Sequence, residues 1–553
     1  MLSIADYRAH LIRADYGLIA LVLIVLTVLV ALVVLARRWA FLGGLGRGLD
    51  GRLWLYGLRI NQSWYTVLGA LALALRVPFL LESLWYDEAF SFRIAMMPFG
   101  QLGPAIISDV HPPTYYGLIW LWARLAPGLS GPALWAWLRL PSLAFGLLAI
   151  YLVHRLAVAL GLGLVAAFVA ALLVALTPAS IYYSTEMRNY SMLICALLGA
   201  LVCIWEDRPG GFVVCLAALG WLHNLGLLYV PVVALVALIV HWQKYDWCYT
   251  FDSWSSHIGE VVVRDQRRPW VIAIVAGGLL SLVWLPLLIR QSGAISDGFW
   301  IYFNAGTPFW SLALNLMYVP RELIFLLLLP VIGLSALGFY LVRDWLRRFN
   351  GGLILLVLVG PPSLSILLSI FWAPVYLPRS FVPLNLLALI PLAIALVRFP
   401  RLLLVWLALA FVGVVSYIRT ENLLRPDFAG MMAAGCAGAD AIYYTAIDTA
   451  ITIAPVDGGR PALVWAGGRD RGLTFKIDEL PVLDFSAGDI TQFAGRVVCV
   501  PYLLTPRTVE PERAYVAELM QTYGAKVTRY VPYDDLDVDL ILLTVPGAAH
   551  ASR

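Results

Sequence analysis

Charge is scarce in this chain. Only 13% of its 553 residues are Asp, Glu, Lys or Arg, and 61% are hydrophobic, whereas a soluble domain carries about 25% charged residues. That excludes an ordinary soluble enzyme. The net charge of +4 is small and dispersed, so no basic patch is presented and no nucleic-acid partner is expected. Cysteine is equally sparse, with six residues and no metal-type spacing. Cys195, Cys203 and Cys215 fall in apolar runs, where a thiol acts as a small hydrophobe. Cys436 and Cys499 lie in the polar C-terminal part and can pair only if that part meets an oxidising compartment. The tail from residue 420 contains no GxGxxG or Walker loop, so no nucleotide chemistry is assigned to it. A cleavable leader is missing too: the first apolar run ends in Arg37-Arg38 without a small-residue cleavage site and is expected to remain as an anchor.

What the chain has instead is long apolar runs, the signature of spanning helices. Twelve spans are expected, near 17–36, 63–81, 139–157, 163–180, 190–205, 211–222, 224–241, 270–289, 321–341, 353–371, 380–397 and 402–418. The stretch 114–127 is apolar but short and follows Pro112-Pro113, which favours an interfacial or re-entrant helix. With twelve spans the Arg- and Lys-bearing segments 37–62 and 242–269, the Arg343, Arg347, Arg348 group and the Arg398, Arg401 pair share one side. By the positive-inside rule that side is cytoplasmic. Loops 82–138, 181–189, 290–320 and 372–379 and the tail from 420 then face outward.

The tail changes character. Short apolar runs such as 462–465, 497–500 and 538–545 read as strands, and 511–524 has helical periodicity ending at Gly524, a natural C-cap. The fold class expected is a polytopic α-helical membrane protein with a C-terminal soluble α/β domain. Its divisions are 1–62 (an extra helix and a basic loop), 63–419 (the membrane body with external loop 82–138) and 420–553 (the α/β part).

Chemistry concentrates in the external loops. Loop 82–138 opens with Trp85-Tyr86-Asp87-Glu88-Ala89 and continues through Asp109-Val110-His111-Pro112-Pro113-Thr114-Tyr115-Tyr116. Ionisable groups beside a low-dielectric boundary are costly to keep and default to a functional role. An acid half-shielded by Trp85 and Tyr86 is expected to have a raised pKa and to serve as a general base. The bland alternative is that Asp87 or Glu88 only complements the dipole of a helix starting near Ala89. Tyr115, Tyr116, Trp120 and Trp122 read as an aromatic belt. A second cluster, Glu186-Met187-Arg188-Asn189-Tyr190, holds two charges too close in spacing to pair along one helix face; Arg188 has the geometry to hold a phosphate. Arg379, Arg290 and His223 mark further external mouths. Asp109, His111 and Glu186 are able to ligate a divalent metal, although nothing in the sequence requires one and no other cofactor is indicated.

The ordered set Trp-Tyr-Asp-Glu-Ala, Asp-x-His-Pro-Pro-x-Tyr-Tyr and Glu-x-Arg-x-Tyr resembles the GT-C glycosyltransferases. Within them it is most similar to glycosyltransferase family 39, the protein O-mannosyltransferase-like proteins, and to the related lipid A aminoarabinose transferases. The resemblance covers roughly residues 60–400. It implies a GT-C fold and transfer of a hexosyl or pentosyl group from a polyprenyl-phosphate donor. The acceptor would be a hydroxyl of a glycan, lipid or protein, and the anomeric carbon would be inverted. The reaction would face the outside of the plasma (inner) membrane. By motif, Asp87 is the principal acid/base residue, with Asp109, and Glu88 beside Asp87, as further acids. Arg188 and Arg379, together with Arg290, would meet the donor phosphate, and Glu186, His111, Tyr190, His223 and Tyr86 would line the pocket. The family's Arg-Tyr pair reads Arg379-Ser380 here. The competing expectation is a transporter or flippase of a lipid-linked saccharide, which calls for midplane polar residues and repeat symmetry.

Overall fold

The computed structural model describes residues 62–109, 111–246, 268–289, 333, 336–371, 375–424, 428–445, 461–465, 487–504, 510–533 and 536–546. Its first helices are α1 (Gln62–Ala74), α2 (Tyr86–Met96), α3 (Phe99–Ser108) and α4 (Pro113–Ala123). The body continues with α5 (Gly131–Ala159), α6 (Gly163–Leu176), α7 (Pro178–Ser184), α8 (Tyr190–Trp205), α9 (Pro209–Leu222), α10 (Tyr229–Asp246) and α11 (Arg268–Ser281). It closes with α12 (Arg343–Leu346), α13 (Phe349–Phe371), α14 (Val382–Arg398) and α15 (Pro400–Leu424), after which come α16 (Phe428–Gly435) and α17 (Glu510–Tyr523).

Among the described residues five helical stretches are long and apolar enough to cross a membrane: Ser63–Leu81, Gly131–Ala159, Asn224–Gln243, Phe349–Phe371 and Pro378–Arg398. The pair α6 and α7 makes a sixth if counted as one broken span. The expected spans 17–36 and most of 321–341 lie outside the described residues, so the count of twelve is an expectation only. The stretch 163–180 was expected as one continuous span, and the structure corrects this: the chain bends by 65° between α6 and α7. Pro178 has no N–H to continue α6, and as the first residue of α7 it starts a new helix instead. The break exposes carbonyls that the helix no longer satisfies. Arg76, fully buried, answers them: it donates to the carbonyls of Ala72 and Ala175 and to the hydroxyls of Ser180 and Ser184. Gly146 of α5 permits the approach, since a Cβ there would lie 2.1 Å from that of Ser184.

The main apolar core runs through the long helices, with the Pro378–Arg398 stretch at its centre, 83% buried. A second apolar cluster lies under α2, α3 and α4 and includes Leu84, Phe90, Ile94, Trp135 and Met187. Tyr115 and Tyr116 belong to it, at 3% and 1% exposure; the structure therefore removes them from the expected aromatic belt. Further along the chain, strands β1 (Ala441–Tyr444), β2 (Ala462–Trp465), β3 (Ala487–Gly488), β4 (Val497–Leu504), β5 (Ala525–Tyr533) and β6 (Leu536–Thr544) form a sheet in the order β3-β2-β1-β4-β6-β5. The first four are parallel, and β6 and β5 add on antiparallel. Gly524, at φ +65, ends α17. Cys436 and Cys499 are joined by a disulfide that ties the end of α16 to β4.

Candidate active site

Four connections meet at one end of the helical body and bring their charges together. Asp87 comes from the first turn of α2, Asp109 and His111 from the link between α3 and α4, Arg188 from the turn between α7 and α8, and Arg379 from the 3-10 turn before α14. Trp85, at the N-cap of α2, makes no side-chain cap bond, so the acids here are held by tertiary partners. Arg379 Nη1 donates to Asp87 Oδ2. Arg188 Nη2 stands 3.8 Å from the same oxygen, and Arg188 Nη1 also donates to the hydroxyls of Ser91 (3.3 Å) and Tyr116 (3.4 Å). Asp87 retains 14% side-chain exposure, so its carboxyl is not wholly sealed from solvent.

Asp109 is set one layer behind. Its Oδ2 accepts from Tyr116 Oη at 2.7 Å and pairs with His111 Nδ1 at 3.0 Å. Arg188 Nη2 lies 3.0 Å from His111 Nε2. A guanidinium only donates, so Nε2 accepts and Nδ1–H donates to Asp109. His223 follows the same logic: its Nδ1 accepts from the Leu225 N–H, so Nε2–H faces Ser380 Oγ at 3.3 Å. Its ring meets that of His111 edge-on at 5.6 Å. Burial, then the charges of Arg379 and Arg188, push the His223 pKa well below the usual histidine range, so it is a neutral donor.

The expected raised pKa of Asp87 is overturned. Burial does push its carboxyl up, but the guanidiniums of Arg379 and Arg188 outweigh burial and hold it below the ordinary value. Asp109 is lowered as well, with burial opposed by the hydrogen bonds from His111 and Tyr116 and by the charge of Arg188. Two depressed carboxyls stabilise the fold above their unfolded value, about 3.9, and that contribution is lost as pH falls through the lower folded values. The melting temperature is therefore expected to be insensitive to these two groups from about pH 5 to 7 and to fall below about pH 4. Replacing both by Asn should flatten that acid limb; an identical limb in the double variant would refute the assignment.

Glu88 does not join the cluster. Both its oxygens are taken by Arg139, at 2.8 and 2.6 Å, and Oε1 also accepts from the Met187 N–H at 2.7 Å. The pair is fully buried. Arg139 donates further to the carbonyls of Leu80, Glu82 and Ser83. Glu88 is thereby committed to a clamp that joins α5 to the start of α2 and to the Arg188 turn, and a catalytic role is withdrawn from it. Ser142 Oγ holds the Arg188 carbonyl at 3.2 Å from the other side. Glu186 is fully buried and close enough for its charge to act on Tyr190 and Arg379. Tyr86 is half-buried against the second apolar cluster. Arg290 lies outside the described residues. Arg139, Ser91 and Ser380 are site partners that motif reading did not single out; Arg139 opens an apolar run, and that interruption was the available signal.

A divalent metal would need free oxygen and nitrogen donors facing one point. Both ring nitrogens of His111 are engaged, one of them by a guanidinium that itself repels a cation. Among the described residues no group of three or more His, Cys, Asp or Glu could hold an ion. The set Asp109, His111 and Glu186 does not fit a metal, and no step below uses one.

No protein-family model matches the sequence, and no curated protein matches it. Solved structures do. ArnT from Cupriavidus metallidurans in the apo state superposes with a TM-score of 0.51 at 15% identity, over 87% of this chain and 98% of that one. The same protein bound to undecaprenyl phosphate gives 0.53 over the same shares. This chain has the fold of ArnT. The archaeal oligosaccharyltransferase AglB from Archaeoglobus fulgidus, in complex with an inhibitory peptide and a dolichol-phosphate, aligns at 0.43 and 12% identity, over 86% of this chain and 74% of that one. The likeness to ArnT agrees with the helical membrane fold expected from the motifs. With this fold and its apolar spans the chain is an integral membrane protein.

Proposed function

We propose that the chain is a GT-C glycosyltransferase that moves a hexosyl or pentosyl group from a polyprenyl-phosphate donor to an acceptor hydroxyl. The observation that carries this is the buried cluster in which the Asp87 carboxylate lies between the guanidiniums of Arg379 and Arg188. A carboxylate of depressed pKa is ionised at neutral pH and ready to accept a proton. Two guanidiniums beside it are suited to a phosphate. Fold likeness to a protein solved with undecaprenyl phosphate supports the donor class.

In this mechanism the donor phosphate settles against Arg188 and Arg379. Sharing those charges weakens their hold on Asp87 and makes it a better base at the moment it is needed. The acceptor O–H gives its proton to Asp87 as its oxygen forms a bond to the anomeric carbon. The bond from that carbon to the phosphate oxygen breaks, its electron pair stays with the phosphate, and the carbon is inverted. General-base help of this kind is worth about 10²–10⁴ in rate. Asp109, through His111 and Tyr116, holds Arg188 in place.

The cluster is assigned to the outer side of the plasma (inner) membrane, with 63–419 as the catalytic body and 420–553 as an extracytoplasmic α/β domain. The basic segments support that side. So does the Cys436–Cys499 disulfide, since such bonds persist in oxidising compartments. Acceptors are a glycan, a lipid or a protein. The test is sugar transfer by the purified protein from a panel of polyprenyl-phosphate sugars, with a chelator present throughout. Turnover is expected; its absence across the panel, with no donor binding, would return the chain to the transporter reading.

A further inference from the structure

We infer that the Tyr190 hydroxyl is a third donor to the phosphate of the lipid-linked substrate, beside Arg188 and Arg379; this rests on the glycosyltransferase reading above. Tyr190 is the first residue of α8 and is fully buried. Its Oη has no hydrogen-bond partner among the described residues, whereas buried hydroxyls are ordinarily paired. The ring is held from two sides, by Tyr183 at 4.9 Å and His223 at 5.9 Å between ring centroids. The hydroxyl is therefore placed by packing and is not free to swing toward another acceptor.

Its surroundings define what it would bind. The Arg379 guanidinium carbon is 5.8 Å from the Tyr190 ring centroid, and the charges of Arg379, Arg188, Asp87 and Glu186 all act on the phenol. Arg188 Nε, on the guanidinium that stands 3.8 Å from Asp87, is also buried without a hydrogen-bond acceptor among the described residues. Unspent donors and two guanidiniums call for a ligand rich in acceptor oxygens and negative charge. The phosphate of the donor lipid has both.

Phe in place of Tyr190 removes only the hydroxyl and keeps the ring contacts. The experiment measures equilibrium binding of undecaprenyl phosphate and of undecaprenol, the same chain without phosphate, to the full-length protein in nanodiscs. The wild type is expected to prefer the phosphate lipid. Tyr190→Phe should weaken that lipid about 10- to 100-fold, as for a lost hydrogen bond to a charged group, and leave undecaprenol unchanged. Wild-type affinity for undecaprenyl phosphate in the variant would overturn the assignment while leaving the glycosyltransferase reading intact. Weakening seen only with a sugar-bearing donor would overturn it in favour of a sugar contact. A wild type that does not distinguish the two lipids would remove both readings together.

Discussion

Asp87→Asn should abolish transfer almost completely, by about 10²–10⁴ in kcat, with the protein still folded and still binding donor. Asn keeps an oxygen that can accept from Arg379, so the hydrogen bond seen with Asp87 has a replacement. What it cannot do is take a proton from the acceptor. It also removes the negative charge that partly neutralises Arg379 and Arg188, so the donor phosphate is expected to bind as tightly as before or more so. A loss in kcat without a rise in KM for the donor is the mark of an interaction made in the transition state. Initial rates over a range of donor concentrations, with a melting curve as a check on folding, measure this directly. Turnover near the wild-type rate would eliminate Asp87 as the base.

Much of this site was legible because charge is expensive where the surrounding residues are apolar. Asp87, Asp109, His111, Glu186, Arg188 and Arg379 stand out in a sequence this poor in ionisable groups, and the loops that carry them meet. Partner assignment was not legible. Asp87 and Glu88 are neighbours in sequence, but successive residues on a helix point about 100° apart. One therefore faces the cluster and the other faces α5. Which is which depends on Arg139, 51 residues away from Glu88. The sign of the Asp87 shift was misread for the same reason: Trp85 and Tyr86 are visible beside it, while the guanidiniums that outweigh burial come from 101 and 292 residues further along. At about 4 Å, two unit charges in a partly polar site interact by about 4 kcal/mol, and two such partners are enough to reverse the effect of burial. Tyr116 shows a further limit. Its residue type fits a membrane belt, and only the fold shows its hydroxyl on Asp109. The bend after Leu176 had a visible cause in Pro178, but hydropathy alone runs straight through it.

The second large effect is on stability, and Arg139 is where it should appear. Arg139→Met leaves the Glu88 carboxylate buried with no cation and strips donors from the carbonyls of Leu80, Glu82 and Ser83. Removing one partner of a buried ion pair costs about 3–5 kcal/mol, a large share of the stability of a typical domain. Adding Glu88→Leu removes the stranded charge and should recover part of that loss, because replacing both partners by apolar groups is often tolerated. Activity should not recover with it. Glu88 also accepts from the Met187 N–H, immediately before Arg188, so without the carboxylate the turn that aims Arg188 at Asp87 loses its anchor. Melting temperature and transfer rate are thus expected to separate: the double variant should be more stable than Arg139→Met and no more active. Parallel recovery of both would mean that the clamp serves stability alone. A single variant as stable as the wild type would mean that the clamp does not hold this end of the molecule together.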